Sequence, residues 1–140
     1  MRRTGTETFL PMALVVAGMG AFGVVQAQEL AVDAEMTVSG IDVACTGVGD
    51  EANTDARWPT YAVRIEFAGP GGEYLSDVDL SVADDRGQLI LPALCNGPWF
   101  LARLEPGRYE IEATSTSGVT RSARFNAPSH GQSRTILRFR

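Results

Sequence analysis

The chain predicts an all-β protein, a single antiparallel Greek-key β-sandwich of seven or eight short strands preceded by a signal peptide. Three observations carry this. Apolar and polar residues alternate with a period of two through several short runs, as in Tyr61, Val63, Ile65 and Phe67 against Ala62, Arg64 and Glu66. Turn residues punctuate those runs, and beyond the leader no stretch shows a convincing amphipathic helix. The segment Asn96-Gly97-Pro98-Trp99-Phe100-Leu101-Ala102-Arg103-Leu104-Glu105-Pro106-Gly107-Arg108-Tyr109 writes a turn, a strand, a turn and a second strand without a gap, and reads as a β-hairpin. In that reading Pro106 presets φ at the first corner and Gly107 takes a positive φ at the second.

The N-terminus reads as a signal peptide, residues 1–27. Arg2 and Arg3 precede an uncharged apolar run from Phe9 to Val25, and Val25-Gln26-Ala27 offers small residues for cleavage before Gln28. An uncleaved anchor is the alternative, and Pro11, Gly18, Gly20 and Gly23 weaken it as a spanning helix. Membrane contact is therefore expected only through a retained leader. With no cysteine at the cleavage site the chain is not a lipoprotein. The paired arginines hint at twin-arginine export, but Thr4-Gly5-Thr6 does not favour it. The short arginine-headed leader looks bacterial, which points to the periplasm.

Residues 28–57 hold a polar lead-in from Glu29 to Glu35, a first strand with broken alternation from Met36 to Val43, and an acidic loop from Gly47 to Arg57 that suits a short helical turn. Residues 58–140 hold the rest of the sandwich, in one domain with that first strand. The Tyr61–Phe67 strand ends at Gly69-Pro70-Gly71-Gly72. Val78, Leu80 and Val82 form the next, and Asp84-Asp85-Arg86-Gly87 turns the chain into Gln88-Leu89-Ile90-Leu91. After Pro106-Gly107, Tyr109, Ile111 and Ala113 alternate with Arg108, Glu110 and Glu112. Ser117-Gly118 then leads to the Val119–Phe125 strand, and His130-Gly131 to a last one from Arg134 to Phe139. About one hundred residues suffice for one such core and not for two domains.

The full chain has 12 basic and 17 acidic side chains, a net charge of −5, and no lysine; loss of Arg2, Arg3 and Glu7 with the leader makes it more acidic by one charge. Nucleic acid and anionic membrane surfaces are poor partners for such a chain, because both require clustered cations. From Gln28 to Ala56 there are acids and no bases, whereas seven arginines lie between Leu101 and Arg140. The ordinary reading of this asymmetry is a mixed solvated surface, and the alternative is an acidic end and a basic side. Cys45 and Cys95 are an even pair in an exported chain, so a disulfide is expected, closing a loop that is worth about 4 kcal/mol on the chain-entropy model. There is no Cys-x-x-Cys pair for redox work, and one distant histidine does not complete a zinc site.

Gly72-Glu73-Tyr74-Leu75-Ser76-Asp77-Val78, Asp85-Arg86-Gly87-Gln88, Gly97-Pro98-Trp99 and Leu104-Glu105-Pro106-Gly107-Arg108-Tyr109 resemble the small secreted bacterial proteins described as carboxypeptidase regulatory-like. The resemblance spans most of Trp58 to Phe139. It implies a transthyretin-like or prealbumin-like Greek-key sandwich without chemistry of its own. Cys45 and Cys95 lie outside that pattern. The hydroxyisourate hydrolases share this type of fold, but several histidines and a Tyr-Arg-Gly-Ser terminus mark them, whereas this chain has one histidine and ends Leu137-Arg138-Phe139-Arg140.

Candidates for chemistry are few. His130 near Ser129 and Ser133 sits in a Pro-Ser-His-Gly turn without a nucleophile-elbow motif, and reads as a solvated turn residue. Asp77, Asp79, Asp84 and Asp85 cluster hard oxygens as calcium favours, though acids on a solvent face and turn-capping aspartates explain them without a metal. Trp58 and Tyr74 flank loops and are the surface candidates for a sugar or a partner, while Tyr61 and Trp99 are expected in the core. The expectation is an exported, non-catalytic module without a cofactor that binds an unidentified protein in the cell envelope. The alternative is a carbohydrate- or calcium-binding module.

Overall fold

A computed structural model describes residues 27–140, and all of the expected leader except Ala27 lies outside the described residues. Two five-stranded sheets pack face to face. The first contains, in spatial order, β1 (Gln28–Leu30), β6 (Leu89–Cys95), β5 (Val78–Asp84), β8 (Gly107–Thr114) and β9 (Thr120–Ala127). The second contains β10 (Ser133–Arg138), β4 (Val63–Ala68), β7 (Trp99–Ala102), β3 (Ile41–Thr46) and β2 (Glu35–Val38). A short 3-10 turn at Asp50–Asn53 interrupts the acidic loop, and a second at Trp58–Thr60 follows it. No helix among the described residues is long and apolar enough to cross a membrane.

The sandwich has ten strands, and its sheets are mixed: β1 runs parallel to β6, and β10 parallel to β4. Two strands escaped the sequence reading. In β1 Gln28 and Glu29 are exposed and only Leu30 is buried, too short a pattern to stand out from a polar lead-in. The broken alternation from Met36 to Val43 is two strands, β2 and β3, joined at Ser39 and Gly40 with φ of 52° and 79°. Paired positive φ values at a two-residue corner match the strand twist of a tight hairpin. Parallel pairing was invisible because alternation records which face a strand buries and not the direction of its neighbour.

The expected hairpin at Pro106-Gly107 is an arch. β7 pairs with β3 and β4 in the second sheet, whereas β8 pairs with β5 and β9 in the first. The reason lies in the apolar run Trp99-Phe100-Leu101-Ala102, all four of whose residues are buried. Such a run needs cover on both faces, which the centre of the second sheet supplies. Gly107 is the first residue of β8, and it is not among the glycines with positive φ.

Val43, Val63, Ile65, Phe67, Phe100 and Leu137 from the second sheet meet Leu80, Val82, Leu91, Ile111 and Phe125 from the first in one buried core. Cys45 of β3 and Cys95 of β6 are disulfide-bonded across it, with Cα atoms 5.6 Å apart and no exposure of either residue. The N-terminal segment closes the sandwich over that bond. Leu30 pairs with Cys95, and two residues later Val32 bridges Cys45, so the chain passes from one sheet to the other. The backbone N–H groups of Asn96 and Asp33 donate to the Leu30 and Cys45 carbonyls at 3.2 and 2.8 Å and fix that crossing. The bond points to an oxidising, extracytoplasmic compartment.

Candidate functional site: the outer face of the second sheet

On β4, Val63, Ile65 and Phe67 enter the core, which turns Arg64 and Glu66 to the opposite face. The strand register carries that face across the sheet in two rows. Ile136, Glu66, Trp99 and Thr46 lie side by side on β10, β4, β7 and β3, and Arg134, Arg64, Leu101 and Ala44 form the adjacent row.

Glu66 is fully buried although it faces away from the core. Its cover comes from three sides. The β4–β5 connection folds back so that Tyr74 bridges Ala68, and the Tyr74 hydroxyl donates to Glu66 Oε1 at 2.9 Å. Arg134 donates from Nε to Glu66 Oε2 and from Nη2 to Oε1 at 3.1 Å, a two-pronged grip. Arg64 places Nε 3.3 Å from Oε2 without forming a hydrogen bond, and its guanidinium carbon stands 3.4 Å above the Trp99 ring. Tyr74 meets Trp99 edge-on at 6.5 Å between centroids.

Burial opposes the charge on Glu66, but the bonds from Arg134 and Tyr74 and the nearby charges of Arg64 and Arg134 outweigh it and hold the carboxyl below its ordinary range. A carboxylate kept ionised in this way is not poised to exchange protons near neutral pH. The arrangement is one of recognition and support: one anion under two guanidinium groups, with an aromatic pair beside it.

Beyond Trp99 the same face is covered by the acidic loop. Trp58 and Tyr61 pack on Ala44 and Leu101 as a second, smaller apolar cluster. Arg57 lies 4.3 Å over the Trp58 ring and Arg103 lies 4.1 Å over Tyr61. The Tyr61 hydroxyl donates to Glu35 Oε1 at 2.7 Å; burial first, and then that carboxylate, push its pKa up to about 12. Gln132 Nε2 donates to the Trp58 and Tyr61 carbonyls at 2.8 and 3.0 Å, tying the loop to the approach to β10.

Of the two expected surface aromatics, Tyr74 is 54% exposed but Trp58 is buried at 2%. Trp58 flanks a loop, as its sequence position implies, but that loop folds onto the sheet and carries it inward. Tyr61 and Trp99 are buried, both of them on the outer face under this cover. The four aspartates do not converge, and no group of three or more potential metal ligands occurs among the described residues. Asp79 is exposed on β5, and Asp84 Oδ1 accepts the Arg86 and Gln88 amides at 3.0 and 2.9 Å, the capping role that turn aspartates fill. Ser129 and His130 are exposed, while Ser133 Oγ is buried and without a hydrogen-bond partner, so the three do not form a nucleophile and base.

Among the described residues, one open cleft lies on the first sheet and another at the edge of this face, beside Tyr61. The first, of about 690 Å³, is bordered by Asp84, Arg108, Tyr109, Arg124 and Asn126, and its charges are internally opposed, with Arg124 Nε 3.8 Å from Glu110. The second, of about 290 Å³, lies beside Glu35, Thr37, Asp42 and Arg103. Arg64, Glu66, Arg134 and Ile136 escaped the sequence reading as site residues. Each is an ordinary outward position of an alternating strand, and only the register that aligns β10, β4 and β7 brings them together. The chain matches no protein-family model, no curated protein and no solved structure.

Proposed function

We propose that this protein is an exported, non-catalytic β-sandwich module of the carboxypeptidase regulatory-like kind, acting in the periplasm as a protein-interaction or accessory domain, and that the outer face of its second sheet is the interacting surface. One observation carries the reading. Four large apolar side chains are exposed among the described residues, Val48, Tyr74, Leu89 and Ile136; Tyr74 and Ile136 belong to this face, and Val48 stands where the acidic loop leaves it. Tyr74 reaches Glu66, Ile136 is Glu66's cross-strand neighbour, and Val48 follows the glycine that lies against Trp99. Apolar groups gathered on a rigid face with guanidinium groups among them are what protein partners bind. The disulfide and the leader read from the sequence support the compartment, and an ionised, fully engaged Glu66 supports a surface without proton-transfer chemistry.

The test is a photo-crosslinking amino acid placed at Ile136 in the native cell, with Leu89 on the first sheet as control. The expected result is a discrete covalent protein adduct from position 136 and none from position 89. Adducts from neither position, or from position 89 alone, would remove the reading.

A further inference from the structure

The charge asymmetry of the sequence takes a definite form on this face. At one side β10 presents Arg134, Ile136 and Arg138 outward, all exposed. At the other side the start of the acidic loop presents Val48, Asp50 and Glu51, also exposed. The row Ile136, Glu66, Trp99, Thr46 connects the two sides, and three interstrand spacings separate its ends by about 14 Å. Tyr74, over Glu66 and Trp99, stands between them. Each side thus pairs one exposed aliphatic group with like charges, and the charges of the two sides are opposite. A half-turn about an axis near Tyr74 lays the arginine side of one molecule on the acidic side of another, twice over. That is the self-complementarity of an isologous interface.

Resting on the reading of this face as an interaction surface, we infer that its partner is a second copy of this chain, in a two-fold dimer that sets Arg138 and Ile136 of each copy against Glu51 and Val48 of the other. Arg138 and Glu51 are the charges to consider, because Arg134 is already engaged by Glu66. Five strands of four to six residues span roughly 400 Å² of projected face, part of it under the acidic loop, which is below the size of a standard specific interface. The dimer is therefore weak, concentration-dependent and sensitive to salt.

Sedimentation equilibrium of the purified disulfide-bonded protein, from micromolar to several hundred micromolar, tests this with two exposed charge reversals, Glu51→Arg and Arg138→Glu. The native protein is expected to dimerise, each single variant to weaken dimerisation at least tenfold, and both the double variant and an equimolar mixture of the two single variants to restore it. Restoration in the mixture cannot come from changes in folding, because it joins two variants that each fail alone. A native protein that stays monomeric throughout, or a dimer indifferent to both reversals, overturns the inference. If the Ile136 adduct then contains a different protein, the interaction surface stands and only the identity of the partner falls; if position 136 forms no adduct, both fall.

Discussion

Cys45 and Cys95 are bonded between the next-to-edge strands of opposite sheets, and the backbone running from Leu30 to Val32 pairs with both of them. The bond closes a sequence separation of 50 residues and is sealed beneath the N-terminal crossing. Replacing both cysteines with alanine should lower the free energy of unfolding by up to about 4 kcal/mol, read from the midpoint of a denaturant titration. Because neither sulfur is exposed, reductant without denaturant should leave the bond intact, as quantified by thiol titration. Rapid reduction of the native protein would show that the N-terminal crossing opens readily.

Gly47 links β3 to the acidic loop with φ of +98°, and a Cβ placed there would lie 2.6 Å from Trp99 Cγ. Gly47→Ala meets both a backbone conformation that L-residues avoid and a ring that Arg64 also packs against. The expected loss of stability is about 2 kcal/mol, with a change in tryptophan fluorescence as Trp99 shifts. An unchanged midpoint and spectrum would mean that the loop tilts away at no cost.

Glu66 has a folded-state pKa below its ordinary value of 4.5. Its contribution to stability is complete above pH 4.5 and is lost as pH falls through the lower folded-state value, because the unfolded chain then takes up a proton that the native cluster resists. Glu66→Gln should cost about 1 to 3 kcal/mol at neutral pH and flatten the loss of stability on acidification. Thermal unfolding of both proteins across that range checks it, and parallel profiles would show that acid acts elsewhere.

Tyr61 behaves in the opposite sense. Its pKa of about 12 stands above the ordinary 10.0, so its contribution is present below pH 10.0 and disappears as pH rises toward 12. Absorbance at a phenolate wavelength should show one of the three tyrosines ionising last, and Tyr61→Phe should remove that phase. Persistence of the late phase in the variant would reassign it to Tyr109, whose pKa is raised by burial and by Glu105, Asp84 and Asp85.

Most strands were legible in the sequence, and so was which of their residues face inward. Val78, Leu80 and Val82 are buried against exposed Asp79, and Ile111 and Ala113 against exposed Glu110 and Glu112, as period-two alternation requires. The bond between Cys45 and Cys95 was legible from cysteine count and compartment alone. What alternation cannot carry is the identity of a strand's neighbours, since the same inward set satisfies either direction and either sheet. Hence β7 and β8 read as a hairpin and fold as an arch, and β1 and β10 take parallel partners. Burial on an outer face is equally hidden, because it depends on which loop lies over it. Trp58 turns inward with the acidic loop, and Glu66 is enclosed only once β10 brings Arg134 beside β4 and Tyr74 folds back over both. Local stereochemistry determines the strands and their inward faces; long-range register alone makes the face on which Glu66, Tyr74 and Ile136 meet.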